Sequence, residues 1–439
     1  MARFSPRSPL SDTAGVLPPL GRRSMLKGLL ATAGVAALPG LAACGSGGSG
    51  GSTDTVTFGS NYSDAVPKGA VQSVMDAFTK AQNLKVTVNT KDHNTYQEQI
   101  TNYLQGRPDD VFCWFAGYRM QYFAGQGLAS DLSDVWTDIG ANFSAAQKEA
   151  STGADGKQYF VPFYYYPWAV FYRPSIWQQR GYEVPRTFDE LVALAGRMKS
   201  DGLIPIAVGQ KDGWPQMATL DYINLRTNGY EFHMNLMRGK EDWQGAKVRA
   251  VFENWRRLLP YYQENALGRT WQEASDSLEK GEAGMMVIGN QVLEKTKGQL
   301  DDLDFFAFPE IDPAHGVDTV EAPIDGFMLS RKPGNPDGAK KLLRFLGGAE
   351  APVLYTKANP SVIATNAQAD TSGYNKLQRK YIDFVGQAKH LTQFLDRDTD
   401  PRFASDAATN GINAFLNNPN DIDSVLKGLA DQAKTIFTG

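Results

Sequence analysis

Residues 55–115 read TVTFGS-NYSDAVPKGAVQSVMDAFTKAQNL-KVTVNT-KDHNTYQEQITNYLQGRPDD-VFCWF, and the periodicity of this stretch decides the fold class. Val56-Thr57-Phe58 and Val86-Thr87-Val88 are short runs of strand-forming residues. Between them Val71, Val74, Met75 and Phe78 fall at i, i+3, i+4 and i+7, one face of a helix. Tyr96 to Leu104 reads as the next helix and Val111 to Phe115 as a third strand. Strands alternating with amphipathic helices predict an α/β fold with largely parallel sheets.

The pattern continues downstream. Thr187-Phe188-Asp189-Glu190 is a capping box, in which hydroxyl and carboxylate satisfy free N–H groups at a helix start. Leu191, Leu194, Ala195 and Met198 give that helix a buried stripe, and Ile204 to Val208 follows as a strand. Ile422, Val425, Leu426, Leu429, Ala433 and Ile436 keep the helical period at the C-terminal end. A chain this long exceeds one core and suits two lobes. With no internal repeat and no second tether visible, the lobes are expected to be joined by interwoven crossings.

The N-terminus reads as an address. Gly21-Arg22-Arg23-Ser24-Met25-Leu26-Lys27 precedes an apolar run from Gly28 to Ala43, 16 residues with Pro39 inside. A spanning helix needs ~20 apolar residues, so the run reads as a signal peptide, and the paired arginines point to twin-arginine export. Leu41-Ala42-Ala43-Cys44 resembles the lipobox of bacterial lipoproteins, in which the thiolate of Cys44 takes up lipid. Residues 1–43 are therefore expected to be a twin-arginine lipoprotein signal peptide, and residues 44–53 a lipidated Gly/Ser tether. The protein is expected at the outer face of the cytoplasmic membrane. The tether contains G-x-S-x-G and G-x-G-x-x-G strings, which are spacer here because neither lies between a strand and a helix.

Without the leader, 39 Lys+Arg face 47 Asp+Glu, a net charge of −8. That balance argues against nucleic acid, which needs a basic footprint. Once Cys44 is lipidated only Cys113 remains, a small hydrophobe in an apolar stretch.

Four segments, in order, resemble the extracellular solute-binding proteins of ABC importers, in the branch that binds sugars and oligosaccharides. Pro108-Asp109-Asp110-Val111-Phe112-Cys113-Trp114-Phe115 with Gly127 to Leu132 looks like the first-lobe strand and following helix. Tyr159-Phe160-Val161-Pro162, Phe171 to Pro174 and Pro185 to Leu191 look like the hinge crossing and the start of the second lobe. Leu278 to Gly289 is similar to the family's "aromatic-x-x-G-x-A-A-M" strand, with Leu278 and Gly284 as departures. Pro323 to Ser330 and the helix from Pro336 to Phe345 resemble the return to the first lobe. The resemblance implies a two-lobe periplasmic-binding-protein-like α/β fold of the maltose-binding type, with a hinge and an inter-lobe ligand cleft. It places lobe 1 at residues 54–163 and 324–357 and lobe 2 at 164–323 and 358–439. It implies capture of a sugar and delivery to ABC transporter permease subunits, with no cofactor and no catalytic residue.

A sugar presents C–H faces to aromatic rings and hydroxyls to carboxylates, amides and guanidinium groups. All eight tryptophans lie between positions 114 and 271. Trp114 follows an apolar strand and either contacts ligand at the cleft edge or packs. Tyr164, Tyr165 and Tyr166 lie at the hinge crossing, where alternation lets at most two face the cleft. Trp214 lies in a turn after the Ile204 strand, the end of a strand where α/β folds bind ligands. Asn290 ends the Met285 strand. Asp325 lies at the second crossing, as a ligand contact or a turn cap. Asn61 and Asp64 follow the first strand, Asn94 the second, and Asp396 and Arg397 complete the candidates. Trp136, Trp177, Trp243 and Trp255 are expected to be structural.

A glycosidase needs two carboxylates flanking the bond, and no acid pair here sits in such a motif. His93, His233, His315 and His390 show no zinc-ligand spacing. The stronger rival is the same fold binding a non-sugar solute such as a polyamine or peptide.

Overall fold

The computed structural model describes residues 54–295 and 300–438. The expected leader, tether and Cys44 lie outside the described residues. The strands run in chain order β1 (Thr55–Ser60), β2 (Lys85–Thr90), β3 (Val111–Phe115), β4 (Val161–Tyr165), β5 (Trp168–Tyr172), β6 (Ile204–Ile206), β7 (Ala283–Gly289), β8 (Asp304–Phe306), β9 (Thr319–Glu321), β10 (Ile324–Leu329), β11 (Ile363–Ala364) and β12 (His390–Thr392).

One sheet has the order β11-β4-β10-β3-β1-β2 and another β6-β7-β5-β8; β12 and β9 form a short parallel pair. β1 lies parallel to β2 and to β3, as expected where helices connect successive strands. The sheets are nevertheless mixed. β10 runs antiparallel between β3 and β4, and β5 antiparallel between β7 and β8, because these strands carry the chain from one sheet to the other. The first sheet takes residues up to Tyr165 and regains Ile363 and Ala364, which pair with Tyr165 and Tyr164.

Proline marks two of the changes of sheet. Pro167 separates β4 from β5, and Pro323 separates β9 from β10. A residue without an N–H cannot continue a ladder, so each strand is released from one sheet before entering the next. Inside β4, Pro162 faces Gly326, where β10 carries a register shift between Asp325 and Gly326. A Cβ on Gly326 would stand 2.1 Å from the Val161 carbonyl oxygen, so only glycine fits this approach.

Each sheet has its own core. Val71, Val74, Met75 and Phe78 of the helix Ala65–Gln82 are all buried, against Val56, Phe58 and Val111 of the first sheet. At about 1.5–3 kcal/mol per buried side chain, this face outweighs the helix's intrinsic propensity. In the second core Leu191, Ala195 and Met198 lie buried on the helix Phe188–Ser200. Thr187 Oγ1 accepts from the Glu190 N–H at 3.2 Å and Glu190 Oε2 accepts from the Thr187 N–H at 3.3 Å, the expected capping box. The C-terminal helix Ile422–Phe437 adds Ile422, Val425, Leu426 and Leu429 to this core. Trp136, Trp177, Trp243 and Trp255 are buried, as expected of structural residues.

Candidate functional site

The ends of β1 and β2, the two proline crossings and the segment after β12 converge on a cavity of ≈160 Å³. Its walls include Asn61, Asp64 and Asn94 from the first sheet's loops, and Trp214 and Asn290 from the second. Tyr164, Tyr166 and Asp325 line it at the crossings, and Asp396 and Arg397 reach it from the segment after β12.

One wall is aromatic. Trp168, two residues past Tyr166, stacks on Phe394 with ring centroids 4.9 Å apart and planes at 15°. Trp214 stands edge-on to both, 6.0 Å from Trp168 and 6.4 Å from Phe394. The Trp168 Nε1–H is buried without a partner. Together the rings form an apolar corner that an apolar C–H face would fill.

The opposite part is charged. Arg397 Nη1 lies 2.8 Å from Asp325 Oδ1, its Nη2 donates to the Tyr166 hydroxyl at 3.1 Å, and its plane sits 3.9 Å above the Phe115 ring. Arg119 Nη1 donates to Asp396 Oδ2 at 2.8 Å and to Gln97 Oε1 at 2.7 Å. Burial raises the Asp325 carboxyl, and the Arg397 charge opposes that rise. Asp325 Oδ1 and Arg397 Nη1 are close but not aligned as a hydrogen bond, so each keeps hydrogen-bonding capacity. Asn61 Oδ1, Asn290 Nδ2, Gln291 Oε1 and Asp396 Oδ1 are likewise buried without a hydrogen-bond partner among the described residues. Buried polar groups in such number call for an external partner.

The histidine of this wall is spoken for. A guanidinium only donates, so Gln97 turns its oxygen to Arg119 and its Nε2–H to His93 Nε2, 2.8 Å away. His93 Nε2 is then an acceptor and the proton sits on Nδ1, which faces the Asn61 side-chain amide at 3.5 Å. Burial, then the charges of Arg397 and Arg119, lower His93 to about 4, so the ring is neutral at pH 7. Asn94 is also committed: its Nδ2 donates to Asp212 Oδ1 at 3.0 Å and its Oδ1 accepts from Trp214 Nε1 at 3.4 Å, joining loops of the two sheets.

Two candidates are corrected. Trp114 is 1% exposed and packs beside Tyr96 and Phe123, its Nε1 donating to the Arg119 carbonyl at 3.3 Å. Its neighbour Phe115 is buried in the same core, with the Arg397 guanidinium over its ring. Tyr165 points away from the cavity because alternation gives Tyr164 and Tyr166 the cleft side; it faces a separate groove with Tyr230 and Ile324. Trp168, Phe394, Trp271 and Glu294 line the cavity without having been singled out, and Gln291 lines it beside Asn290. Phe394 was signalled by its place two residues before Asp396. Arg119 had no local signal, since its partners lie 22 and 277 positions away. Among the described residues no group of three or more His, Cys, Asp or Glu is placed to hold a metal ion.

The chain and its fold are similar to known proteins. The model of a family described as bacterial extracellular solute-binding protein matches residues 63–351. The solved structure of the bacterial solute receptor AcbH, described with an exclusive substrate preference for β-D-galactopyranose, is 46% identical, with a TM-score of 0.86, covering 87% of this chain and 99% of that one. An uncharacterized ABC transporter extracellular-binding protein of Pyrococcus horikoshii is 27% identical over 337 residues, 75% of this chain and 73% of the relative. A chitin oligosaccharide binding protein, 20% identical with a TM-score of 0.79 over 87% of this chain and 99% of its own, has the same two-lobe fold.

Proposed function

The chain belongs to the bacterial extracellular solute-binding proteins, and from there we propose that its cleft captures a single pyranose sugar for an ABC importer. The observation that carries this reading is the Trp168–Phe394–Trp214 corner, set against unpartnered amide, carboxylate and guanidinium atoms in one cavity. A sugar ring has an apolar C–H face for the first and hydroxyls that donate and accept for the second. At roughly 10–15 Å³ per water-sized group, a cavity of ≈160 Å³ takes about a dozen heavy atoms, one hexose. The likeness to the galactopyranose receptor makes D-galactose the first sugar to try.

The protein binds and releases without chemistry in this reading. Asp325 and Asp396 each face an arginine, an arrangement that orients hydroxyls instead of shuttling protons. The two lobes close on the ligand about the Pro167 and Pro323 crossings, and the closed form presents itself to permease subunits. The sequence pattern around Cys44 further supports a lipid anchor with residues 44–53 as tether. Cys44→Ala is expected to move the protein from the membrane fraction to the soluble one.

Thermal shift and calorimetry with D-galactose, D-glucose, a disaccharide and spermidine test the ligand class. A binder stabilises the native state by an amount that grows with the logarithm of its concentration above the dissociation constant. Such stabilisation by a monosaccharide, with saturable binding by calorimetry, supports the proposal. Stabilisation by spermidine with none by any saccharide overturns it.

A further inference from the structure

Three consecutive backbone N–H groups after β12 end on buried carboxylates. Asp398 Oδ2 accepts from Gln393 at 2.8 Å and from Phe394 at 3.5 Å, and Asp221 Oδ2 accepts from Leu395 at 2.8 Å. Between them Phe394 stands at φ 153°, ψ 144°, a positive φ that residues with a Cβ avoid. Such a conformation persists only where its surroundings hold it. The arm held in this way, Phe394–Arg397, brings Phe394, Asp396 and Arg397 to the cleft.

Asp221 lies on the helix Met217–Met237, 1% exposed, and faces Glu321 at the end of β9, 0% exposed. The hydrogen-bond donors around the pair decide which acid carries a charge. The Lys247 carbonyl can only accept, so it fixes Asn228 Nδ2 as its donor at 3.2 Å; the same Nδ2 donates to Asn224 Oδ1 at 2.8 Å. Asn224 therefore turns its Nδ2 to His233 Nδ1, 3.1 Å away, and the His233 proton sits on Nε2. That Nε2–H faces Asp221 Oδ1 at 4.0 Å. Asp221 thus accepts one hydrogen bond, from Leu395 to Oδ2, with the His233 Nε2–H beyond hydrogen-bond reach of Oδ1, and of the two acids it suits the ionised state better. Both Glu321 oxygens lack a donor, so Glu321 suits the protonated state, with Asp221 as the acceptor of its proton.

We propose that Asp221 and Glu321 share one proton and that this pair positions the ligand-binding arm Phe394–Arg397. The inference rests on the reading of the cleft as the ligand site. Of the other charged groups facing the pair, Arg226 carries a positive charge that partly offsets an ionised Glu321. Arg226, on the same helix, donates to the carbonyls of Phe308 at 3.0 Å and Thr319 at 2.9 Å, while Asp396 and Asp398 on the arm are themselves acidic. His233 is neutral, lowered by burial to about 3. The Tyr222 hydroxyl accepts the Glu321 N–H at 3.4 Å and donates to the Trp168 carbonyl, so the pair reaches both rings of the Trp168–Phe394 stack. Burial and mutual repulsion raise both acids, so the pair holds its proton to higher pH than free carboxyls do. Its loss places two charges in a dry pocket and opens the seat of Leu395.

Amide hydrogen exchange on the unliganded full chain from pH 6 to 10, read as protection of the Leu395 N–H after correction for intrinsic rates, tests the device without any ligand. Wild-type protection is expected to fall by about tenfold or more in alkali, the equivalent of one net buried hydrogen bond. Glu321→Gln keeps a donor that cannot ionise and should flatten the profile. Asp221→Ala should lower protection at every pH, and both variants are checked for folding by thermal melts. D-galactose affinity, measured in parallel, should follow the same pH profiles. Glu321→Gln tracking the wild-type alkaline loss overturns the proposal, as does unchanged Leu395 protection in a folded Asp221→Ala. The expected exchange profiles with no saccharide binding at any pH would instead leave the positioning pair standing and overturn the sugar reading.

Discussion

Asn94, in the first turn of the helix His93–Glu98 that follows β2 on one side of the cleft, donates its Nδ2–H to Asp212 Oδ1 on the other at 3.0 Å. Its carbonyl oxygen accepts from Trp214 on the same opposing loop, so one amide closes two bonds across the cleft. These bonds exist only when the lobes approach, and they therefore belong to the closed state and not to the ligand. Asn94→Ala is expected to weaken ligand binding about threefold to tenfold, the value of one or two net hydrogen bonds. The loss should fall mainly on the dissociation rate. Stopped-flow tryptophan fluorescence separates the two rates, and small-angle scattering should show a more open unliganded protein.

Trp168 supplies the broad face of the aromatic corner, with Phe394 stacked behind it. Removing the indole takes away both the platform and the support of Phe394. Trp168→Ala is expected to cost about 1.5–3 kcal/mol of binding, or tenfold to a hundredfold, by calorimetry. Trp168→Phe should recover most of this, since stacking needs a ring face. An indole acting only through its Nε1–H would make the two variants equally poor.

Arg397 compensates Asp325 directly, in side chains 7% and 9% exposed. Asp396 stands 3.8 Å from its Nε. Truncating the arginine strands the buried Asp325 carboxylate, while Asp396 keeps Arg119; breaking a buried pair from one side costs about 3–5 kcal/mol. Arg397→Met is expected to lower the urea midpoint accordingly and to abolish binding. Arg397→Lys should fail as well, because an ammonium cannot face Asp325, the Tyr166 hydroxyl and the Phe115 ring at once. Adding Asp325→Asn to Arg397→Met should return part of the stability but not the binding.

The parts legible in the sequence are those with a local cause. Val71, Val74, Met75 and Phe78 announce a buried helix face because helical period needs only seven residues of context, and Thr187 with Glu190 announces a cap because the bonds close within three. Tyr164 and Tyr166 follow from strand alternation once the crossing is placed. Trp114 lies away from the cavity, which was not legible because an aromatic at a strand end reads the same whether the strand turns it inward or outward; here it packs against Tyr96 and Phe123. Arg119 and the Asp221–Glu321 pair were not legible because their meaning lies in contacts made over tens to hundreds of positions. The mixed sheets have the same cause: antiparallel insertion of β10 depends on where the chain returns, which periodicity does not encode.

Glu294 faces the cleft beside Asp64, and burial followed by the Asp64 charge raises its carboxyl from 4.5 to about 8. Lys295 and Asn359 oppose the shift without cancelling it. The sign follows from proton counting. Below pH 4.5 the folded and unfolded chains both hold this proton and the group is neutral in its effect. Between pH 4.5 and about 8 the folded chain still holds the proton that the unfolded chain has released, so each step upward in pH costs stability. Above about 8 both are ionised and the cost stays constant. Glu294→Gln removes the titration while keeping size and polarity. The variant should melt with the wild type at pH 4 and above it at pH 7, with the gap widest and level beyond pH 8. A gap of the same size at every pH would assign the effect to packing instead of to the proton.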